Sequence, residues 1–294
     1  MSVYKRRCLK VNRRWLNENL GRVRVVYTDV DGTLLGPGGC LFLTADKKYT
    51  LEPAKAIIAA QKRDLDIVMI SGRSARQLHG DARILGLKNY IAELGCQIVY
   101  DLGREIILNV GGFPCGEKTI LEAINESGAV DLLFQTFPEK LEYHTPWSEG
   151  RECTHVFRGY IDVDLANELL RENGHDDLEV VDNGIIHTLG DLKDIPEVHA
   201  YHLLPKGGGK PAGLRRDREI RGIPKRETVA IGDAFADLVL APEVGALFLV
   251  RNALNGNAGL AEEITKYENV FVTEEEMGLG FAEVIGYLAK EKTQ

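Results

Sequence analysis

Two carboxylates lie close together where the first apolar run of the chain ends. The stretch VVYTDVDGT covers residues 25–33 and places Asp29 and Asp31 two positions apart after a strand-like run. Alternate residues of an extended chain point to the same side, so both side chains face one ligand position. Carboxylates this close repel unless a cation or a proton lies between them. The pattern predicts a bound Mg²⁺ or one carboxyl group kept protonated as an acid, although an isolated Asp-Gly pair also fits a plain turn.

A hydroxyl group ends the second apolar run. The run LDIVMIS stops at Ser71, and Gly72 and Arg73 follow it before a helix-like segment. A hydroxyl together with backbone N–H groups at a helix entrance forms an anion site. Taken alone, Ser-Gly-Arg is also an ordinary capped turn. Arg73 fits either a contact to a substrate phosphate or a surface ion pair.

Carboxylates and lysines recur later in the chain. The run ETVAIGD ends at Asp233, and Asp237 follows four residues later, on the same side if a helical turn begins at once. A glycine-rich stretch, HLLPKGGGKPAGL, leads through Lys206 and Lys210 into the next helix-like segment. Each feature alone is weak evidence. Together and in this order, each at a strand end or a helix entrance, they indicate one shared chemistry.

The elements that must position these residues alternate regularly. Short runs rich in Val, Ile and Leu, such as 23–28, 65–71 and 227–233, alternate with amphipathic segments such as 51–64 and 277–291. Continuous apolar strands between amphipathic helices indicate a parallel sheet covered on both faces. The sequence therefore predicts a doubly wound α/β fold, in which ligands bind beyond the carboxyl ends of the strands.

The middle of the chain has a different pattern. Residues 102–203 contain more turns, more aromatic residues and more charge than the rest. Segments 117–127 and 164–173 have helical periodicity, whereas 155–163 alternates as a half-exposed antiparallel strand does. This region is predicted to be an α+β domain inserted into the α/β core.

The predicted domain organisation follows from this contrast. The core comprises residues 22–101 and 204–294, the inserted domain comprises 102–203, and a basic extension covers 1–21. The extension lacks the apolar region of a signal peptide. We expect it to be mobile or to lie on the surface, as terminal residues often do.

Composition limits the classes of function. The 294 residues are 44% hydrophobic with a net charge of −8, which suits a globular protein and argues against nucleic acid as the main partner. No apolar run is long enough for a membrane span. The five cysteines form no C-x-x-C pair and are read as free thiols, so we expect a cytoplasmic protein without a membrane partner. Oligomeric state is not encoded in any pattern we recognise.

The four features together resemble the motifs of a known superfamily. DVDGT at 29–33, the strand end at Ser71, Lys210 and GDAFAD at 232–237 resemble, in order, the four motifs of the haloacid dehalogenase superfamily of phosphotransferases. The insert lies between the second and third motifs, as in members with a type 2 cap, which include sugar, mannosyl-phosphoglycerate and sucrose phosphatases. Many of these have Glu-Asn-Gly where this chain has Glu93-Leu94-Gly95. That departure leaves the substrate open.

The resemblance implies roles for the carboxylates. Asp29 would be the nucleophile that forms an aspartyl-phosphate, and Asp31 would be the general acid and base. Mg²⁺ would bind Asp29, the backbone carbonyl of Asp31, and Asp233, all hard oxygen ligands. Asp237 would ligate the metal through water or orient the motif lysine.

The resemblance also implies a phosphate site. The residues expected to hold the phosphoryl group are Ser71, Gly72, Lys210, Thr33 and Asn252. Lys206 and Arg73 are further candidates for contacts with the substrate, although Lys206 fits a solvated loop better.

The implied function is hydrolysis of a phosphomonoester. The substrate would be a small phosphorylated metabolite, either a sugar phosphate or a phosphoglycerate derivative. A phosphotransferase or mutase that passes the aspartyl-phosphate to another hydroxyl is an alternative. A metabolite-binding protein without catalysis on the same fold is another, since fold does not fix function.

Overall fold

The computed structural model describes residues 6–186, 190–192, 195–255 and 259–290. The helices in these ranges are α1 (Arg13–Asn19), α2 (Glu52–Gln61), α3 (Ala75–Leu85), α4 (Ile120–Ser127), α5 (Ala129–Thr136), α6 (Val163–Glu172), α7 (Lys210–Ile220), α8 (Leu260–Glu263) and α9 (Met277–Lys290). The strands are β1 (Val25–Thr28), β2 (Asp66–Ile70), β3 (Tyr90–Ala92), β4 (Gln97–Tyr100), β5 (Glu105–Leu108), β6 (Leu141–Tyr143), β7 (His155–Gly159), β8 (Leu178–Ile186), β9 (Val198–Pro205), β10 (Thr228–Gly232), β11 (Ala246–Leu249) and β12 (Val270–Val272). No helix within the described ranges is long and apolar enough to cross a membrane.

The chain forms two compact units, and the first contains residues 1–70, 81–90 and 214–294. Its strands are parallel and lie in the order β12-β11-β10-β1-β2. Strands β1, β10, β11 and β12 are buried along their whole length, which explains why their sequences are apolar on both faces. The register of β1 with β10 pairs Thr28 with Ile231, so both strands end at the same edge of the sheet.

The second unit contains residues 71–80 and 91–213. It holds the antiparallel pair β4 and β5 and a four-stranded antiparallel sheet in the order β6-β7-β9-β8. Helices α4, α5 and α6 cover this sheet. They bury Ile124, Leu133 and Leu170 in an apolar core that includes residues of the sheet.

The α/β class predicted from the sequence is confirmed. The second unit includes the whole predicted insert, 102–203, and also 71–80 and 91–101, which the sequence analysis assigns to the core. Compact units defined by contacts need not coincide with inserted domains. The predicted boundaries between core and insert therefore stay a prediction.

The described part of the predicted N-terminal extension, residues 6–21, is mostly exposed or half-buried but has apolar anchors. Leu9 and Leu16 are buried in the first unit, and the ring of Trp15 lies 5.1 Å from that of Phe271. Lys10, Arg13 and Arg14 lie between Leu9 and Leu16 in the sequence. The described part of the segment thus lies on the surface of the first unit and is held there by these anchors, and its separate status as an extension stays a prediction.

Candidate active site

Asp29 occupies the carboxyl end of β1. Its N–H donates to the carbonyl of Ile231 on β10 at 2.8 Å, so the two strands remain paired up to this residue. The side chain is largely buried, with 8% of the residue exposed, whereas Asp31 is exposed. Directly after Asp31 the chain turns at Gly32, whose φ of +76° is one that glycine adopts readily. The two carboxylates therefore differ in environment although they are near neighbours in sequence.

Asp233 follows β10, and neighbouring side chains fix its carboxylate. Thr33 Oγ1 donates to Asp233 Oδ1 at 3.2 Å, and Asn252 Nδ2 lies 3.4 Å from Oδ2. The same Asn252 amide donates to the carbonyl of Gly32 at 3.0 Å, and its oxygen accepts from the N–H of Met277 at 2.8 Å. Thr33 and Asn252 thus orient both oxygens of Asp233 and tie them to the loop after β1.

Gly32 also permits the close approach of this loop to Asp233. A Cβ atom at position 32 would lie 2.2 Å from Asp233 Oδ2. No real Cβ contact is that short, so any side chain would displace the loop or the carboxylate. The glycine in the DVDGT motif is therefore required by backbone conformation and by space.

Asp237 shapes the loop that presents Asp233. Its Oδ2 accepts hydrogen bonds from the N–H groups of Asp233 and Ala234, at 3.0 and 3.2 Å. Only 1% of Asp237 is exposed, and a Cβ at Gly232 would lie 2.4 Å from the same oxygen. This oxygen of Asp237 thus binds protein backbone. Its predicted role at the metal stays a prediction.

The donor set at this edge of the sheet suits a hard cation. Within the described ranges, no group of three or more His, Cys, Asp or Glu side chains is placed to hold a metal on its own, and the metal role of the four predicted aspartates stays a prediction. The set implied by the resemblance is smaller, because it combines the carboxylates of Asp29 and Asp233 with the backbone carbonyl of Asp31. Mg²⁺ typically takes one or two carboxylates and completes its shell with water and substrate oxygens. The residues present fit that ion.

The remaining predicted residues lie in the second unit, and Ser71 is the most firmly held. Its N–H donates to Ile91 at 3.1 Å, and its carbonyl accepts from Leu94 at 3.0 Å. Its Oγ accepts from the N–H of Arg73 at 3.2 Å, while the Arg73 carbonyl accepts from the N–H of Glu93. Hydrogen bonds therefore join the loop after β2 to the turn after β3.

Lys210 begins α7 and is largely buried. The turn after β3 packs directly on this helix start, since a Cβ at Gly95 would lie 2.1 Å from the carbonyl oxygen of Gly209. A Cβ at Gly213 would lie 2.6 Å from the Cα of Gly95. In contrast, Lys206 is exposed just beyond β9. Of the two lysines, only Lys210 is thus packed into the structure.

Sequence analysis did not identify one buried network in the second unit. The carboxylate of Glu93 accepts from the N–H groups of Glu152, Cys153 and Thr154, at 2.9, 3.0 and 2.8 Å. Arg151 lies beside it, with Nε 3.8 Å from Glu93 Oε2. A single arginine in a turn-rich segment carries no recognisable signal, because its partners Gly72 and Glu93 lie far from it in the chain.

Comparison with known proteins identifies the family. Residues 26–270 match the family described as haloacid dehalogenase-like hydrolase. This match covers most of the chain, so the protein belongs to that family, and the resemblance and hydrolase class predicted from the motifs are confirmed.

Curated relatives are distant but extensive. The chain is 26% identical over 234 residues to a phosphoglycolate phosphatase of Metallosphaera sedula, covering 79% of this chain and 86% of that protein. It is 24% identical over 273 residues to phosphoglycolate phosphatase 1 of Saccharolobus solfataricus, covering 91% and 96%. A relative from Escherichia coli, 21% identical over 79% of this chain and 85% of its own length, is named HMP-PP phosphatase.

Solved structures share the fold at low sequence identity. A protein of Thermoplasma acidophilum superimposes with a TM-score of 0.60 at 17% identity, covering 91% of this chain and 99% of that one. The sucrose-phosphatase of Synechocystis, solved with sucrose and phosphate, gives 0.59 at 15% identity and covers 91% and 98%. These similarities establish the fold and leave the substrate open.

Proposed function

We propose that the protein is a Mg²⁺-dependent phosphomonoester hydrolase that acts on a small phosphorylated metabolite through an aspartyl-phosphate. The observation that carries this proposal is the largely buried Asp29 at the end of β1, together with Asp233 at the end of the paired strand β10, where Thr33 and Asn252 hold it. Membership of the hydrolase family supports the reaction class. The names of the relatives support a phosphorylated substrate.

Two aspartates divide the chemistry. An oxygen of Asp29 forms a bond to phosphorus while the bond to the ester oxygen breaks, and Asp31 gives its proton to the departing alkoxide. Asp31 then takes a proton from water, whose oxygen attacks phosphorus and releases Asp29 and inorganic phosphate. The exposure of Asp31 suits this role, because it must meet both the leaving group and water.

The remaining residues bind charge. When bound, Mg²⁺ offsets the repulsion between the Asp29 carboxylate and the phosphate dianion. Ser71, the Gly72 N–H and Lys210 bind the phosphoryl oxygens as negative charge develops. Thr33 and Asn252 orient Asp233, and their predicted contacts to the phosphoryl group stay predictions. Arg73 and Lys206 stay predictions as contacts to the rest of the substrate.

The substrate is proposed to be a phosphorylated small acid or sugar. Phosphoglycolate is the first compound to test, because several relatives bear that name. Sugar phosphates and phosphoglycerate derivatives come next. A screen of several dozen phosphorylated metabolites with Mg²⁺ would show selective release of phosphate from one class.

Asp29→Asn tests the mechanism. We expect no phosphate release above background from this variant, because the amide cannot attack phosphorus. Asp46→Asn is a matched control: it removes an exposed carboxylate paired with Lys48 and should retain activity. Equal, negligible release from wild type and Asp29→Asn would instead favour a metabolite-binding protein, and isomerised product would favour a mutase.

A further inference from the structure

We propose that Arg151 is a positioning residue for the phosphate-binding loop at Ser71 and Gly72. The inference rests on the proposed function, in which this loop binds the phosphoryl oxygens. Arg151 lies in the segment predicted as the inserted domain, 79 residues from Gly72 in the chain. All the residues involved belong to the second unit.

The key contact acts on one peptide group. Arg151 Nη2 donates to the carbonyl oxygen of Gly72 at 2.7 Å. The N–H of the same peptide group belongs to Arg73, and it donates to Ser71 Oγ at 3.2 Å. Because a peptide group is planar, fixing its carbonyl end also fixes the direction of its N–H. Arg151 therefore controls, through one rigid group, the donor that meets the Ser71 hydroxyl.

This arrangement leaves the hydroxyl group of Ser71 able to donate a hydrogen bond. A hydroxyl oxygen that accepts from one N–H still has its own proton to donate. With the Ser71 oxygen engaged by the Arg73 N–H, its O–H proton remains available for an acceptor such as a phosphoryl oxygen. The charge on Arg151 also polarises the Gly72–Arg73 peptide and strengthens the hydrogen bond at its far end.

Arg151 is itself held rigidly. Its Nε and Nη2 donate to Thr154 Oγ1 at 3.0 and 2.8 Å, and Thr154 Oγ1 in turn donates to Glu93 at 3.0 Å. Side-chain exposure is 2% for Arg151 and 1% for Glu93. A guanidinium group fixed on several sides presents its remaining N–H in one direction. The network therefore has the rigidity that a positioning role requires.

Side chains of the second unit enclose the loop at Gly72. A Cβ at Gly72 would lie 2.8 Å from Asn183 Nδ2 and 2.9 Å from His202 Nε2. A larger residue at position 72 would therefore have to displace one of these side chains. Since a buried ion pair adds little net stability compared with apolar packing, stability alone does not account for placing Arg151 here.

Arg151→Met tests the inference against a control of the same kind. Arg218 is also a buried arginine paired with a glutamate, Glu243 at 3.2 Å, but it lies in the first unit, where it also donates to the carbonyl of Ile223. Arg218→Met should lose comparable stability. Only Arg151→Met should weaken the binding of inorganic phosphate, by roughly 10- to 100-fold, as expected for one lost charge-assisted hydrogen bond.

The measurement is the dissociation constant of inorganic phosphate in the presence of Mg²⁺ by calorimetry, together with KM and kcat for the substrate found by screening. Arg151→Lys keeps the charge but lacks the planar guanidinium group. Its free energy of unfolding should therefore be close to that of the wild type, whereas its affinity for phosphate should still be reduced. Equal phosphate affinity in Arg151→Met, Arg151→Lys and Arg218→Met would overturn the inference. A wild type that binds phosphate but hydrolyses no ester would overturn the proposed function instead.

Discussion

Thr33 and Asn252 act on the same carboxylate from two different loops, and each also has a structural duty. Thr33 is fully buried within the DVDGT turn, and Asn252 joins that turn to the start of α9. A carboxylate fixed in this way loses little freedom when it binds a cation. Residues that orient metal ligands commonly change metal affinity when they are altered.

Thr33→Val should weaken the use of Mg²⁺. The substitution keeps the shape of the side chain but removes the donor to Asp233 Oδ1, so the carboxylate is less well oriented. We expect the Mg²⁺ concentration for half-maximal phosphate release to rise roughly tenfold. Thr228→Val is the control, because it loses one hydrogen bond to the Lys225 carbonyl at the opposite end of β10. An equal rise of this Mg²⁺ concentration in both variants would contradict the proposal that Thr33 orients a metal ligand.

Strand ends made part of the site predictable from sequence. Asp29, Ser71 and Asp233 each follow a short apolar run, and the structure places each directly after its strand. Asn252 is predicted only from the family resemblance, and no sequence pattern predicts a role for Arg151. Both act through contacts between residues far apart in the chain, and such contacts leave no local pattern.

Two turns in the second unit have nearly the same backbone but different surroundings. Residues 93–95 and 101–103 both read acid-Leu-Gly and both have three successive positive φ angles, ending at +105° for Gly95 and +93° for Gly103. Leucine rarely adopts such angles, so sequence patterns do not predict these turns. Gly95 packs against the start of α7, whereas Gly103 has nothing within 4 Å of where a Cβ would be.

Gly95→Ala and Gly103→Ala separate conformation from packing. Both variants incur the cost of a positive φ, about 1–2 kcal/mol. Only Gly95→Ala adds an overlap with the Gly209 carbonyl, which should cost about 1–3 kcal/mol more and displace the start of the helix that carries Lys210. Urea unfolding of both variants gives the comparison. Equal losses of unfolding free energy would show that the turn can shift away from the helix freely.

The presence of a helix is easier to predict from the sequence than the residues at which it begins and ends. The segment 164–173 is observed as α6 with a shift of one residue, but 117–127 begins its helix only at Ile120, after a capping box at Thr119. Helix α5 was not predicted. It starts directly after Gly128, whose φ of +83° ends one helix and redirects the chain into the next.

At the scale of the whole molecule, the chain carries buried charge and buried imidazole side by side. His144, His155 and His202 are buried in the second unit, and each has a ring nitrogen without a hydrogen-bond partner among the described residues. Composition alone could not show this, because a histidine count does not distinguish surface from interior. Acid sensitivity of the fold is a property that only the packed structure reveals.

Stability should fall as the pH is lowered from about 6.5 towards 4. Burial lowers the pKa of His144 and His155 to about 4, and the nearby Arg151 charge acts in the same direction. In this window the unfolded chain binds protons that the native state does not, so the free energy of unfolding decreases by up to about 1.4 kcal/mol per pH unit for each histidine. Urea unfolding at pH 7.5, 6.5 and 5.5 measures the slope. His155→Leu removes one proton site at a ring packed against Phe157 and should flatten the slope; an unchanged slope would show that His155 does not stay neutral in the native state.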